Sequence, residues 1–413
     1  MRTTLAAAFF SCALTLTALA APPPPTTSPT PLEGLRDWIA KPRPNRPDLK
    51  TQPFATVPLS KIQAEQAAQS LRDDHAACIR ESRQQEWKDQ AITLADHTLK
   101  WKQRQFGVKP KDGWNLFLSM HGGGGAPAEL NDQQWENQIK LYQPKDSLYI
   151  APRAPTNTWN LWHEPHMDGL LNRLIEDAIT LGDVNPNRVY IMGYSAGGDG
   201  VYQLAPRMAD RLAAASMMAG HPNDASPLGL RNIGFAIHVG AMDDGYSRNK
   251  VAAEWGTKLD ALREADPGGY AHRVELHAGR GHWMNLEDKS AVEWMARFTR
   301  NPLPEKVVWK QSSTLHDSFY WLAMAKGDAK PGQLVIASRD KQEIAIEKSE
   351  GVDAITIRLS DGMLDMDQPI TITAGGKSVF KGIVPRSIRQ LQKSLEEHGD
   401  AFSMYEGSVT VKR

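Results

Sequence analysis

Six short apolar runs, "WNLFLSM", "SLYIA", "RVYIMG", "AAASMM", "FAIHVG" and "HRVELHA", alternate with stretches of helical periodicity between Gly107 and Arg300. That rhythm admits few folds. Strands that are apolar throughout need cover on both faces, and strands joined through a helix run parallel because the crossover returns the chain to the same end of the sheet. Residues 107–300 therefore read as one α/β domain, a mostly parallel sheet with helices on both faces, the helices expected near 131–142, 168–182, 196–210, 247–265 and 288–299. Open sheets of this kind bind ligands at the carboxyl ends of their strands, so the loops after the apolar runs are where chemistry is to be sought.

"RVYIMG" runs directly into "YSAGGDG", which puts Ser195 at a strand-to-helix turn. A G-x-S-x-G string alone is weak, since glycine near 7 % of usage and a similar share of serine produce it in roughly one chain of this length in ten. Position strengthens it. The sharp turn leaves no room for side chains beside the serine, which accounts for Gly193 and Gly197, and the helix that starts near Ala196 aims N–H groups at the same spot. Acyl transfer needs a second donor for the oxyanion, and "SMHGGGGAP" supplies close-approaching backbone after an upstream strand. The expected oxyanion donors are the N–H of Ala196 with that of Gly123 or its neighbour Gly122; the bland alternative is a flexible glycine loop.

A serine hydroxyl attacks only when a base takes its proton, and the base in turn needs an orienting carboxylate. Both follow in order. "IHVGAMDDGY" ends a strand with Asp243 and Asp244, and "GRGHWMN" presents His282 in a glycine-flanked loop after "HRVELHA". Asp243, third after Gly240, is the preferred acid, with Asp244 as its competitor. His121, in the glycine loop, and His272 and His277, in or at the ends of a strand, read as structural. Serine, acid, histidine is the chain order used on this kind of sheet.

Gly122 to Gly125, "GYSAGG", "GAMDD" and "GRGHW" together resemble the α/β-hydrolase fold, and most of all its polyhydroxyalkanoate-depolymerase-like and feruloyl-esterase-like serine esterases. The resemblance covers about residues 107 to 300. It implies ester hydrolysis through an acyl-enzyme, with Ser195, Asp243 and His282 in the matching positions and no cofactor. "SAGG" departs from the "SYGG" of prolyl-oligopeptidase-like peptidases, so peptidase activity is the runner-up; a noncatalytic cell-surface binding module on the same fold is the alternative of a different class.

Other loops at the same sheet edge carry candidate substrate-binding residues. "RAPTNTWNLWHEPHMDG" crowds Trp159, Trp162, His163 and His166 into a segment suited to walling an aromatic or acyl subsite, and "MAGHPNDAS" brings His221 to the cleft. A packed, hydrogen-bonded loop explains the tryptophans equally well. "HEPH" is a poor metal motif, because Pro165 spoils a helical pair and no third ligand is evident nearby; no metal is expected.

Outside this domain, "MRTTLAAAFFSCALTLTALAA" has the layout of a cleaved export signal over residues 1–21, placing the mature protein in the periplasm or outside the cell with no integral membrane association. Cys78 is then the lone thiol, so no intramolecular disulfide is expected. Residues 22–58 are proline-rich and read as an extended tether, and residues 59–106 as a helical extension, with Ser60 and Gln63 spaced as a capping box and Ile92, Ala95 and Leu99 on one face. After "NPLPE" strict alternation sets in (Ile355, Ile357 and Leu359 against Thr356, Arg358 and Ser360), so residues 305–413 read as a small β-rich accessory domain, with a hairpin at Gly375 and Gly376 and one helix stopping at Gly399. Lys+Arg and Asp+Glu balance at 48 each, which removes the basic footprint of a nucleic-acid binder and points to a small or neutral partner; the resemblance implies a small-molecule or polymeric ester as the substrate.

Overall fold

A computed structural model describes residues 30–412, so the export signal and the first residues of the proline-rich segment lie outside the described residues. Helices α1 (Pro31–Ala40) and α2 (Lys61–Asp89) come first, the latter opened by a reciprocal cap between Ser60 and Gln63. A hairpin of β1 (Ala91–Leu94) and β2 (His97–Phe106) precedes β3 (Trp114–Met120). Then α3 (Ala128–Leu141), β4 (Ser147–Arg153), α4 (His166–Leu181), β5 (Val184–Tyr194) and α5 (Ala196–Arg207) follow. The unit closes with β6 (Ala214–Met218), β7 (Gly234–Gly240), α6 (Arg248–Ala265), β8 (His272–His277) and α7 (Ser290–Met295).

All six expected strands form, and together with the hairpin they make an eight-stranded sheet in the order β1-β2-β4-β3-β5-β6-β7-β8. β2 pairs antiparallel with both neighbours, and every pair from β4 to β8 is parallel. This is the α/β-hydrolase arrangement. β6 and β7 are wholly buried, as are β3 apart from Asn115 and β5 from Val189 onward, as strands covered on both faces must be.

Two expectations need correction. The sheet begins at Ala91 rather than after Phe106: Ile92, Ala95 and Leu99 do not share a helical face, because the chain leaves α2 at Gln90 in a left-handed conformation (φ 52°) and turns back at Ala95 (φ 51°), pairing Ile92 with Leu99 across a hairpin. Nor is the described part of the proline-rich segment a tether. Leu35, Leu49, Ala55 and Leu59 bury against Ile388, Leu391 and Leu395 of the C-terminal helix, and Arg43 and Arg46 both pair with Asp74 of α2. Pro31 stands in the first turn of α1, where its missing N–H costs nothing, and after Ala40 the prolines limit the chain to short turns that still bury Leu49 and Ala55.

The C-terminal region comprises β9 (Lys306–Lys310), β10 (Ser318–Phe319), β11 (Leu322–Ala323), β12 (Leu334–Asp340), β13 (Glu343–Glu350), β14 (Ala354–Leu359), β15 (Ile370–Ala374), β16 (Lys377–Gly382), α8 (Ile388–His398) and β17 (Gly407–Lys412). They form a five-stranded sheet, β16-β15-β13-β12-β9, and a four-stranded one, β10-β11-β14-β17. Gly375 and Gly376 turn the β15–β16 hairpin at positive φ, and Gly399 caps α8 at φ 62°. Its apolar residues are continuous with the core of the large sheet. At the seam, buried Asp168 of α4 takes Arg207 of α5 in a bidentate pair and His316 Nε2 at 2.7 Å.

Glu406, just before β17, gives this region a pH dependence. Its Oε2 is enclosed with no hydrogen-bond partner, and burial pushes the carboxyl up to about 7. The unfolded chain releases that proton near an ordinary glutamate value of about 4.3. Between the two values the native state holds a proton that the unfolded state lacks, so stability falls as pH rises from about 4.5 to about 7, by up to about 3 kcal/mol in total. Denaturant unfolding of the wild type and Glu406→Gln at about pH 5 and pH 8 checks this. The variant is expected to lose most of the difference; an undiminished difference assigns it to other groups.

Candidate active site

Ser195 closes β5 and precedes α5 with φ 56° and ψ −118°, a backbone conformation that costs energy for any residue with a Cβ. Its neighbours make that turn feasible. A Cβ on Gly193 would lie 2.2 Å from the Gly197 carbonyl oxygen, and one on Gly197 would lie 2.2 Å from that of Met120. The Ser195 N–H donates to Met218 O at 2.9 Å, which ties the turn to the end of β6.

The three residues singled out from separate loops converge. His282 Nε2 lies 3.0 Å from Ser195 Oγ, and His282 Nδ1 lies 2.8 Å from Asp243 Oδ2. Asp243 is buried, whereas the His282 ring is 45 % exposed and faces the cleft. Asp244 is exposed, and it is Asp243 that His282 contacts. The strand ends that carry these loops are interlocked: a Cβ on Gly240 would sit 2.0 Å from Gly281 O, and the Met242 N–H donates to Arg280 O at 2.8 Å.

Tyr194 contributes a contact that sequence reasoning missed. Its hydroxyl donates to His282 O at 2.6 Å and accepts the Met284 N–H at 3.0 Å, so the residue before the serine fixes the backbone of the histidine loop. Only its place inside "GYSAGG" marked it.

The glycine loop lies against Ser195: a Cβ on Gly122 would be 3.3 Å from the Ser195 Cβ, and Gly123 adopts φ 103°. Asn131 Oδ1 accepts the Gly124 N–H at 2.8 Å, and buried His121 accepts the Ala154 N–H at Nε2. His121 Nδ1 therefore bears the proton and donates to Gly122 O at 2.6 Å, and burial lowers its pKa to about 4, so the ring stays neutral. The loop is held, not flexible. At the start of α5 the N–H groups of Ala196 and Gly197 have no carbonyl one turn back within the helix, and Ala196 shares one lobe of the cleft with Gly123 and Ser195.

Ser195 sits between two lobes. One, of about 640 Å³, is walled by Leu130, Leu141, Tyr194 and Trp283 beside Gly122, Gly123 and His282. The other, of about 370 Å³, is the more polar of the two, with Asp199, His221, Asn223 and Arg248 beside Trp159 and Tyr246. Trp159 and His221 reach the cleft, and Trp283, next to His282, is half exposed on its wall. Trp162, His163 and His166 do not line either lobe. Trp162 is fully buried and donates from Nε1 to His121 O at 2.8 Å, so it supports the glycine loop from behind. His163 packs edge-on to Trp159, its pKa lowered to about 4 by burial, and His166 stacks on His97 of the hairpin.

No protein-family model matches the chain, and no curated protein does. Among solved structures it is similar to a thermostable esterase (19 % identity over 51 % of this chain and 62 % of that one, TM-score 0.38), which it spans for less than two thirds of its length. It is also similar to a poly(3-hydroxybutyrate) depolymerase from Bordetella parapertussis (14 % identity, 50 % and 87 % of the two chains, TM-score 0.37) and to a feruloyl esterase module from Clostridium thermocellum (13 % identity, 50 % and 86 %, TM-score 0.36).

Proposed function

We propose that this chain is a serine hydrolase that cleaves carboxylic esters through an acyl-enzyme intermediate. The observation that carries the reading is the unbroken contact from Ser195 Oγ through His282 to buried Asp243. In the proposed cycle His282 Nε2 takes the hydroxyl proton as Oγ bonds to the ester carbon, Asp243 stabilises the imidazolium, and the N–H groups of Ala196 and of Gly122 or Gly123 hold the oxyanion. His282 then returns the proton to the departing alcohol. Water, deprotonated by the same ring, releases the acid and restores Ser195.

The lobes support a reading of where the two halves of the ester sit. The leaving oxygen must receive its proton from His282, which lines the apolar lobe and not the polar one. The alcohol accordingly occupies the side of Leu130, Leu141 and Trp283, and the acyl group the side of Asp199, His221 and Arg248. That favours acyl chains bearing hydrogen-bonding groups. We also read residues 1–21 as an export signal, which would bring the enzyme to ester substrates outside the cytoplasm.

A fluorophosphonate probe is expected to label wild type and not Ser195→Ala, and turnover of an ester is expected to exceed that of the matching amide. Absence of labelling would return the chain to a noncatalytic binding role; an amide cleaved as fast as its ester would make it a peptidase.

A further inference from the structure

We propose that the carboxyl ends of β7 and β8 form a structural zinc site built from His238, Glu275 and His277. His238 faces Glu275 across the parallel ladder. Glu275 and His277, two residues apart on β8, project from the same face of that strand.

The ligand atoms have the spacing a small cation needs. His238 Nδ1 lies 3.1 Å from His277 Nε2 and 3.5 Å from Glu275 Oε2, and His277 Nε2 lies 4.0 Å from Glu275 Oε2. The two separations to the carboxylate are too long for a hydrogen bond. A triangle with these three sides has a circumradius of about 2.1 Å, which matches zinc–nitrogen and zinc–carboxylate bond lengths.

Glu287 and Arg273 turn lone pairs of His277 and Glu275 toward that centre. Glu287 Oε2 lies 3.4 Å from His277 Nδ1, which places the ring proton there and leaves Nε2 facing His238; Glu287 is itself held by Arg280. Arg273 pairs with Glu275 Oε1 and leaves Oε2 turned inward, where the Ser290 hydroxyl lies 3.3 Å away. A carboxylate behind a ligating histidine is the usual outer support of such a site. His238 is fully buried, but the Glu275 side chain is 28 % exposed and β8 is the edge strand, so a fourth, water position opens outward. Two imidazoles and one carboxylate select zinc over calcium or magnesium, which favour all-oxygen sets. The other cluster of this kind among the described residues, His97, Glu164 and His166, lacks convergence: its two rings stack face to face at 3.8 Å, and lone pairs lie in the ring planes.

The site stands behind the catalytic loops and touches no reacting atom. The Ala241 N–H donates to His277 O at 2.9 Å, so the loops carrying Asp243 and His282 depart from the clamped strand ends. Zinc there acts as a positioning element, independent of the proposed ester chemistry.

The test is zinc stoichiometry of the full chain, free of any histidine tag, by equilibrium dialysis and elemental analysis. Wild type and Ser195→Ala are each expected to retain one zinc per chain, Glu275→Gln and His277→Gln to retain none, and Co²⁺ to give the visible absorption of a four-coordinate site in wild type only. Zinc is expected to raise the Tm of wild type and not of Glu275→Gln. Should a ligand variant fail to fold, Glu287→Gln leaves all three ligands and is expected to weaken zinc affinity about 10- to 100-fold. Wild type that binds no zinc at saturating concentration, or zinc retained unchanged in every folded variant, overturns the proposal.

Discussion

Ser195→Ala is expected to lower kcat on a p-nitrophenyl ester by at least about 10³-fold and, by comparison with studied triads, by as much as about 10⁶-fold. The size follows from what the substitution leaves in place. Removing Oγ deletes the hydroxyl that His282 Nε2 contacts and that forms the proposed acyl-enzyme, and turnover then depends on direct attack by water. The oxyanion donors are backbone and persist in the variant, so a residual acceleration over the uncatalysed reaction is expected. KM is expected to change little, because neither lobe of the cleft owes its walls to the hydroxyl. Stability is expected to stay within about 0.5 kcal/mol, since alanine keeps the Cβ at φ 56° and the Ser195 N–H bond to Met218 O does not involve the side chain. Stopped-flow kinetics would show the pre-steady-state burst of the wild type vanish. Wild-type turnover in a correctly folded variant would end the mechanism.

The residues of this chain differ in how openly the sequence announces them. Ser195, Asp243 and His282 were legible because each follows an apolar run of strand length, and the parallel sheet sends all such strand ends to one edge. The glycine loop was legible for the same reason. Tyr194 and Asn131 were not, since each acts through a hydrogen bond to a residue that spacing does not link to it: Tyr194 to a backbone 88 positions away, and Asn131 to a loop reached by the turn of α3. Trp162 illustrates the converse error. Proximity to the cleft in sequence suggested a subsite wall, whereas its ring is spent on core packing and its one donor on His121 O.

The larger misreadings of fold have a common physical origin in weak local signals overruled by distant partners. Ile92, Ala95 and Leu99 are spaced three and four apart, which suits a helix, yet Thr93 and Thr98 are β-branched and stand opposite each other across the hairpin with hydroxyls 2.9 Å apart. No glycine or proline marks where α2 stops; Gln90 takes the left-handed cap instead. Around Leu35, Leu49 and Leu59 the prolines dominate composition, and the few apolar side chains between them acquire meaning only once α8, more than 300 residues later, supplies the surface they bury against.

Asp243→Asn is expected to cut kcat by about 10⁴-fold at neutral pH while leaving the fold intact, and Asp244→Asn to leave kcat unchanged within about twofold. Asp243 Oδ2 accepts a hydrogen bond from His282 Nδ1, which fixes the neutral ring with its lone pair on Nε2, facing Ser195 Oγ. An asparagine amide presented to Nδ1 donates instead. The ring must then carry its proton on Nε2, so the atom that should receive the serine proton already holds one. The loss therefore falls on the chemical step, with little change in substrate binding. Arg248, whose Nη1 lies 3.8 Å from Asp243 Oδ1, would keep the loop charge-balanced only while the carboxylate is present, so a small fall in Tm is expected alongside. Raising the pH is expected to recover part of the lost rate, because hydroxide can take the serine proton in place of the mis-tautomerised ring. A loss confined to Asp244→Asn would move the acid to the neighbouring residue and detach buried Asp243 from the reaction.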